Sequence, residues 1–415
     1  MTMLIAQKPP VSYVPVQTLQ GLDLNEFCNQ VGERQLIIWG AGHQGRVLQR
    51  AFDRLGHRRT AFCDSNTALH NQLSNGKAVL APHTAIEQAR ARQAVLLIAN
   101  AAHLKAIKQH CQVSGLQDQQ DFYSYLRLAR PEAVIQVADQ RTGHYMEFSD
   151  YRDVLDKMLN EIPGLLHIDL SGWGDPLLNP DLPSIIEYTE VRLACTVITP
   201  LHGTLNIEAV VKALPSQLVL LLNGFGASFS LNSPELSWDS VYERLQQLAQ
   251  LSQQSTNTEF RVLLPRFNNV SADEVAGLQA LCEGFSLKLV VTDSYPSDYQ
   301  AFIDYCLVGH TEAHFGLGRI NWDLPSALRH SEQDRHLPCL CQRIFPVIDA
   351  QQRVAVCHLY QDALLSDDYL SVDYSGLLAQ RRDNPHCRLC QSHALHRLDV
   401  DVLQKRHKLN LVAKA

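Results

Sequence analysis

The feature of this sequence that most constrains its fold is the repeated alternation of short, wholly apolar segments with longer amphipathic ones. Apolar runs of strand length that are bounded by turn residues are typical of strands buried on both faces. The segments between them are long enough for a helix. Strands that alternate with helices form βαβ units, whose strands run parallel within one sheet. The chain is therefore predicted to be an α/β protein.

The alternation divides the chain of 415 residues into three blocks, which we predict to be domains of residues 1–128, 131–333 and 334–415. The first block has predicted strands and helices at Leu36–Trp39, Gln44–Leu55, Arg59–Cys63, Ala94–Ala99 and His103–Gln112. The second block has predicted strands at Val134–Val137, Leu165–Leu170, Cys195–Ile198, Leu218–Leu222, Phe260–Leu264 and Leu287–Val291. Such a series of strands with intervening helices favours a partial or complete (β/α) barrel of the TIM type, with an open doubly wound sheet as the alternative.

The composition limits the partners and the compartment. Acidic residues (43) outnumber basic ones (36), and the formal net charge is −7. Because binding to the phosphates of a nucleic acid needs a basic surface, no nucleic-acid partner is expected. No apolar run approaches the ~18 residues of a membrane helix, so no membrane partner is expected. The start of the chain lacks the pattern of a signal peptide, and 11 cysteines, an odd number, indicate a reducing compartment. We therefore expect a cytoplasmic protein.

A glycine-rich turn follows the first predicted strand. Gly40, Gly42 and Gly45 form a G-x-G-x-x-G pattern between a strand and a helix. In such turns the first glycine permits the tight turn, the second lets a phosphate approach the backbone, and the third lets the helix pack on the strand. Asp64 ends the next predicted strand, where a carboxylate can bind a ribose hydroxyl. We predict a nucleotide site at these four residues, and glycines that serve packing alone are the alternative.

Together with residues 62–66, this turn resembles the small Rossmann-like domains that are attached to sugar-modifying enzymes. The resemblance implies a Rossmann-like first domain. It also implies that the ligand is a nucleotide or a nucleotide sugar rather than a working NAD.

A second glycine-rich loop follows the predicted strand Leu165–Leu170. Gly172 and Gly174 leave backbone groups uncovered at the carboxyl end of a strand, where the sites of α/β proteins are built. The carboxylate of Asp175 adds an acceptor for an amine. We predict that these three residues bind a cofactor or another amine-bearing ligand.

This loop resembles the Gly-Gly-Glu-Pro type of motif of the radical S-adenosylmethionine family, which holds the amino group of the cofactor's methionine. The resemblance continues, in the order of the family, through Met146, residues 199–205, Asn223-Gly224 and Asn268-Asn269. It implies a barrel that binds S-adenosylmethionine at the second glycine-rich loop.

The catalytic cysteine motif of that family is absent. The family needs Cys-x3-Cys-x2-Cys after its first barrel strand, because three thiolates hold an iron–sulfur cluster and leave one iron open to the cofactor. Here residues 138–145 contain no cysteine, and the motif occurs nowhere in the sequence. Reductive cleavage of S-adenosylmethionine by this chain alone is not expected, and the cofactor would be a ligand only. The catalytic residues are therefore unknown.

The third block is rich in cysteine. Cys387 and Cys390 form a Cys-x2-Cys pair, a spacing that lets two thiolates bind one metal. Cys341 and Cys357 bracket a predicted β-hairpin at residues 344–356, whose two ends would lie together. We predict a metal centre at these four cysteines, with Cys339 as the alternative to Cys341.

The order of the cysteines resembles the SPASM-type extension of the radical S-adenosylmethionine family, which carries an auxiliary [4Fe–4S] cluster. The resemblance implies an iron–sulfur centre. Four thiolates also suit structural zinc, and the third alternative is reduced cysteines packed in a core without metal.

Two classes of function follow. In the first, a radical-SAM-like iron–sulfur protein without the catalytic cluster recognises a sugar, nucleotide-sugar or peptide substrate of a modification or biosynthesis pathway and presents it to a partner enzyme. In the second, the chain is an enzyme that modifies such a substrate by non-radical chemistry. A zinc-stabilised binding protein is a further alternative. The missing cysteines favour the first class.

Overall fold

The computed structural model of the chain describes residues 22–100, 103–128, 131–140, 142–162, 164–171, 174–203, 205–254, 258–294, 331–333, 335–336, 339, 344–358 and 360–397. These residues form a mixed α/β fold that is built on two mainly parallel sheets. None of the helices in this part of the chain is long and apolar enough to cross a membrane.

The first sheet is formed by residues 22–128. Its elements, in chain order, are α1 (Leu24–Val31), β1 (Gln35–Trp39), α2 (His43–Arg54), β2 (Thr60–Cys63), β3 (Leu73–Ser74), β4 (Lys77–Leu80), α3 (Pro82–Arg90), β5 (Ala94–Ile98), α4 (Leu104–Val113) and β6 (Phe122–Ser124). The strands lie in the order β3-β4-β2-β1-β5-β6, and only the pair β3 and β4 is antiparallel. The order reverses between β1 and β5, and the crevice outside their carboxyl ends is the place where such sheets bind ligands.

Helices cover both faces of the first sheet. Leu36 and Ile38 of β1 lie in an apolar cluster with side chains of α1 and α2, whereas Ile37 and Trp39 lie in a second cluster with side chains of α3 and α4. Because successive side chains of a strand point to opposite faces, both sets are buried. This double burial explains the unbroken apolar runs in the sequence. The three strands predicted for this block are confirmed.

The second sheet begins after residue 131. Its elements are β7 (Glu132–Ile135), β8 (Ala138–Asp139), β9 (His144–Tyr145), α5 (Phe148–Glu161), β10 (His167–Asp169), α6 (Leu182–Glu190), β11 (Ala194–Thr199), α7 (Ile207–Lys212), β12 (Gln217–Leu221), α8 (Ala227–Asn232), α9 (Trp238–Gln254), β13 (Glu259–Arg266), α10 (Ala272–Gly284) and β14 (Lys288–Asp293). The six strands predicted for this block are confirmed as β7 and β10 to β14, and they run parallel. The small strands β8 and β9 form a separate hairpin.

The C-terminal strands extend the second sheet. They are β15 (Ile344–Ile348), β16 (Val354–Cys357) and β17 (Tyr360–Ser366), and the helices α11 (Tyr374–Asp383) and α12 (Pro385–Ser392) follow. The complete order is β14-β13-β12-β11-β10-β7-β15-β16-β17. The predicted hairpin between Cys341 and Cys357 is confirmed as β15 and β16.

The second sheet is open in the part of the chain that the structure describes, so a complete barrel is excluded there, and a partial barrel stays a prediction. In a closed barrel, the free edge of the first strand pairs with the last strand. Here that edge of β7 pairs with β15, in parallel. The predicted boundary at residues 333 and 334 stays a prediction, and the strands on its two sides share one sheet.

The two sheets meet along α2. Arg50 of α2 forms an ion pair with Glu190 at the end of α6. Arg54 donates hydrogen bonds to the carbonyl oxygens of Leu165 and Arg192, which precede β10 and β11. The helix that follows the first glycine-rich turn is therefore anchored to the amino ends of strands in the second sheet.

Candidate functional site

The glycine turn at the end of β1 has the close packing that its motif predicts. Gly40 has a φ of +120°, in the region that favours glycine, and its N–H donates to the carbonyl oxygen of Cys63 at 2.7 Å. A Cβ on Gly45 would lie 1.9 Å from the carbonyl oxygen of Gly40, so α2 can pack against the turn only with glycine there. A Cβ on Gly42 would meet nothing within 4 Å, and this residue is exposed. The space that a phosphate would need therefore lies open at Gly42.

Asp64 lies beside the same turn. One carboxylate oxygen accepts the backbone N–H of Ala41 at 2.9 Å, and the other accepts that of Asn66 at 2.9 Å. Each oxygen keeps a second lone pair for a further donor. The structure thus brings Gly40, Gly42, Gly45 and Asp64 together, and their binding of a nucleotide stays a prediction.

Cationic and imidazole side chains surround the beginning of α2. Arg46 donates to the carbonyl oxygen of Ala41 at 3.3 Å. Burial, together with the positive charges of His167, Arg46, Arg261 and Arg50, lowers the pKa of His43 to about 3. The imidazole of His43 is therefore neutral at pH 7. Sequence reasoning missed this group, although the helical spacing of His43, Arg46, Arg50 and Arg54 could have indicated a polar stripe on one face of α2.

The second glycine-rich loop packs against the hairpin of β8 and β9. A Cβ on Gly174 would lie 2.1 Å from the carbonyl oxygen of Ala138 and 3.1 Å from the backbone nitrogen of Gln140. Gly174 therefore lets its loop pack closely against the hairpin. The space beside its Cα is filled by this chain and not by a ligand. Gly172, the other glycine predicted for this site, lies outside the described residues.

Asp175 is fully buried, and its carboxylate binds three groups of the chain. It accepts the backbone N–H of Leu177 at 3.0 Å, the hydroxyl of Thr199 at 2.7 Å and the backbone N–H of Gly203 at 2.7 Å. These contacts join the loop after β10 to the loop after β11. A role of Asp175 as the acceptor for an amine ligand stays a prediction, and its described contacts are those of a residue that holds loops in place.

The hairpin of β8 and β9 is held at its base by Asn179. The buried side-chain amide of this residue donates to the carbonyl oxygens of Val137 and Met146, each at 2.8 Å, on the two sides of the hairpin. The amide of Met146 in turn donates to the carbonyl of Val137 at 2.9 Å. The segment that carries cysteines in the resembled family is here a short closed hairpin without cysteine. Its residues do not fit an iron–sulfur cluster, which needs thiolate donors.

The C-terminal cysteines lie on two elements. Cys357 ends β16, where it pairs with Tyr360 of β17. Cys387 and Cys390 lie on α12, which begins at Pro385 and is capped by the side chain of Asn384. The rings of Tyr360 and His386 are 4.9 Å apart, so the end of the hairpin lies next to the start of α12.

The thiol of Cys387 is affected electrostatically by Cys339. Burial raises the pKa of the Cys387 thiol, Arg381 opposes this effect, and Cys339 reinforces it. Among the described residues, no group of three or more His, Cys, Asp and Glu side chains is arranged to hold a metal. Cys341 lies outside the described residues, so the centre at Cys341, Cys357, Cys387 and Cys390 stays a prediction.

This geometry defines a class: a mixed α/β protein with two mainly parallel sheets and, in its described part, no closed barrel. No protein-family model and no curated protein matches the chain.

Solved structures with distant similarity include SuiB of Streptococcus suis. SuiB bound to the precursor peptide SuiA has a TM-score of 0.42 and 13% identity, over 68% of this chain and 70% of that one. SuiB bound to S-adenosylmethionine has a TM-score of 0.40 and 13% identity, over 71% and 74%. The HMG-CoA lyase of Bacillus subtilis has a TM-score of 0.31 and 13% identity, over 68% and 95%.

Proposed function

We propose that this chain is a binding protein of radical S-adenosylmethionine and SPASM type that has no catalytic cluster. It recognises a sugar, nucleotide-sugar or peptide substrate and presents it to a partner enzyme. The observation that carries the proposal is the closed hairpin of β8 and β9, which stands where the catalytic cysteines would be and packs on Gly174.

Three properties of this region support binding without radical chemistry. The hairpin offers no thiolate for iron, because residues 138–145 contain no cysteine. Asn179 closes its base, so the hairpin is part of the packed structure. Asp175, the acceptor expected for the amine of the cofactor, is buried among donors of the chain itself. S-adenosylmethionine would therefore be a ligand only.

The first sheet is proposed to be a Rossmann-like domain that binds a nucleotide or nucleotide sugar at Gly40, Gly42, Gly45 and Asp64. The strand order, with its reversal between β1 and β5, is that of dinucleotide-binding sheets. The open space at Gly42 and the carboxylate of Asp64 beside the turn support a ligand with both a phosphate and hydroxyl groups.

The C-terminal elements are proposed to hold a metal through Cys341 or Cys339 together with Cys357, Cys387 and Cys390. The electrostatic effect of Cys339 on the Cys387 thiol, and the nearness of the hairpin end to α12, support this assignment. A [4Fe–4S] cluster is favoured over zinc by the resemblance. When bound, it would stabilise the fold, since the free energy of ligation is also free energy of folding.

The second candidate is an enzyme that acts on the same substrates by non-radical chemistry. The polar groups at the carboxyl ends of the second sheet favour it, among them Asp169, which accepts the backbone N–H of Ser171 at 2.9 Å. Carboxyl ends of parallel strands are where such folds place their active sites.

The proposal is tested by anaerobic purification and reconstitution with iron and sulfide, followed by incubation with S-adenosylmethionine and a strong reductant. We expect no 5′-deoxyadenosine above a control without protein. Turnover above that control would contradict the proposal and indicate a radical enzyme.

The metal assignment is tested on the same preparations. Iron, sulfide and zinc are measured in the native protein, in the double variant Cys387→Ala and Cys390→Ala, and in the control variant Cys28→Ala, whose residue lies on α1. We expect the double variant alone to lose bound metal and thermal stability. Unchanged metal content in the double variant would show that the assignment is wrong.

A further inference from the structure

We propose that Asp169, at the carboxyl end of β10, binds a primary ammonium group of the substrate on the face of the second sheet that lies opposite α5 to α10. The inference rests on the substrate-recognition function proposed above. It deepens that function, because it names the residue that contacts the substrate and the charged group that the substrate carries.

The two faces of the second sheet differ in chemistry. On one face, side chains such as Ile168 and Cys195 lie in an apolar cluster to which every helix from α5 to α10 contributes. Successive side chains of a strand point to opposite faces of a sheet. Asp169 and Thr196, the next residues along these strands, therefore lie on the other face.

Four polar side chains lie side by side on that other face, one on each of four adjacent strands. Backbone pairing places Asp169 beside Thr196, and Thr196 beside Gln217 at the start of β12. Gln217 lies beside Glu259 at the start of β13 and donates to it at 3.1 Å. Thr196 and Gln217 are only 6% and 8% exposed. Polar groups contribute less to packing than apolar ones, so such a row indicates a binding surface.

Packed side chains bound this row on two sides. Ala194, two residues before Thr196 on β11, lies in the apolar cluster that includes side chains of α2. Val134 of β7, the register partner of Asp169, lies in an apolar cluster with Val347 of β15. Asp169 itself is half-buried and ends its strand. It therefore lies at the carboxyl end of a parallel strand, where α/β folds bind their ligands.

Asp169 differs from the other carboxylates of this region. Glu259 is neutralised by Arg261, which donates to one of its oxygens at 2.9 and 2.5 Å. Asp175 is buried among three donors of the chain. One oxygen of Asp169 accepts the backbone N–H of Ser171 at 2.9 Å and also its hydroxyl. The other oxygen accepts no hydrogen bond from the described residues, and none of their cations forms an ion pair with it.

These contacts favour a cationic ligand. A half-buried carboxylate without a cation beside it attracts positive charge and repels a phosphate or a second carboxylate. The hydroxyl oxygen of Ser171, which donates its proton to Asp169, keeps lone pairs that accept a further N–H. An ammonium group has three N–H donors and no acceptor, so it satisfies both residues. Amino sugars and the free amino termini of peptides share this group.

The inference is tested by calorimetry on the full chain with two matched pairs of probes. One pair is glucosamine and glucose, and the other is glycyl-glycinamide and its N-acetylated form. We expect the native protein to bind the amine of one pair more tightly than its neutral counterpart, and that pair identifies the source of the ammonium group. Asp169→Asn should weaken binding of this amine about tenfold or more, because a charge-assisted hydrogen bond is lost.

Two further variants sharpen the test. Ser171→Ala removes one acceptor but keeps the charge, so it should weaken binding of the amine less than Asp169→Asn does. Asp239→Asn, at an exposed position of α9, is the matched control and should leave binding unchanged. Circular dichroism of each variant verifies the fold. The native protein gives a second readout, because affinity for the amine should fall as salt rises whereas affinity for its neutral counterpart should not.

The possible failures are distinguishable. If the native protein binds none of the four probes, the proposed recognition of a sugar or peptide falls, and this inference falls with it. If the native protein binds the probes without preferring the amine, or if Asp169→Asn keeps the full preference, only this inference is overturned.

Discussion

At the scale of single residues, two aspartates that follow strands have different surroundings. Asp64 lies next to an open turn and accepts two backbone N–H groups. Asp175 is fully buried and accepts a hydroxyl and two backbone N–H groups from three positions of the chain. Burying a carboxylate costs free energy of solvation, and hydrogen bonds within the protein offset that cost, so that the loss of one of these donors would be destabilising. Of the two, Asp64 is the more exposed to solvent.

His43 predicts how stability depends on pH. Its pKa in the folded protein is about 3, whereas an unfolded histidine has a pKa near 6.5. Below about pH 6.5 the unfolded chain therefore binds a proton that the folded chain does not, and stability falls as the pH is lowered toward 3. When the pH is lowered from 7.5 to 5, the free energy of unfolding of the native protein should fall by about 2 kcal/mol more than that of His43→Gln. Urea denaturation measures the difference, with the exposed His83→Gln as the control. Equal losses in His43→Gln and the native protein would contradict the prediction.

The turn at β1 predicts unequal effects of two glycine substitutions. Gly45→Ala places a Cβ 1.9 Å from a backbone oxygen, so the helix must move away from the strand. We expect a loss of about 1–3 kcal/mol in the free energy of unfolding. Gly42→Ala meets open space and should cost less than about 1 kcal/mol, the effect of a poorer helix N-cap. Denaturant unfolding of both variants tests the order, and a larger loss for Gly42→Ala would refute it.

At the scale of elements, the hairpin of β8 and β9 depends on the rest of the chain for its position. It consists of two strands of two residues each, which have few backbone hydrogen bonds of their own. A two-stranded hairpin alone is at best marginally stable in water. Contacts with Gly174 and Asn179 fix it against the segment that follows β10.

Asn179→Ala should loosen this hairpin. The substitution leaves the carbonyl oxygens of Val137 and Met146 without the donor that they share, and we expect a loss of about 2 kcal/mol or more. Hydrogen exchange should also become faster at the amide of Met146. Asn29→Ala, at an exposed position of α1, is the matched control. Unchanged exchange at Met146 would show that the hairpin is held by other contacts.

The Cys-x2-Cys segment is helical, and so differs from the metal-binding turn that its spacing suggests. It lies within α12, because Pro385 suits the first turn of a helix and the side chain of Asn384 accepts the N–H of His386. Residues three apart lie on one face of a helix, so both thiols can still face one centre.

At the scale of the whole molecule, α2 joins the two sheets. Leu166 and Ala194 of the second sheet lie in the same apolar cluster as side chains of α2. Glu190, the partner of Arg50, also accepts the backbone N–H groups of Cys195 and Ser216, at 2.9 and 2.5 Å. One carboxylate thus links α2 to two segments of the second sheet.

A double-mutant cycle measures this link. Arg50 and Glu190 are 25% and 10% exposed, so we expect Arg50→Ala and Glu190→Gln to show a coupling energy of about 1–2 kcal/mol in unfolding experiments. The pair Arg59 and Glu33, 69% and 98% exposed, is the control, and its coupling should be below about 0.5 kcal/mol. A coupling for Arg50 and Glu190 no larger than that of the control would show that this ion pair does not join the sheets.

The amino-acid sequence alone determined the elements of this protein, because strands, helices and glycine turns follow from local periodicity and local sterics. The strands β1, β2, β5, β7 and β10 to β14, the hairpin of β15 and β16, and the packing role of Gly45 were predictable in this way, whereas β3, β4, β6 and β17 were not predicted. Only the tertiary structure decided how Asp175 is used, since Thr199 ends β11 and Gly203 lies in the loop that follows it. It also decided the open second sheet, because β15 pairs with β7 across more than half of the chain's length in sequence. Contacts between residues so far apart depend on the whole fold, and no local pattern in the sequence encodes them.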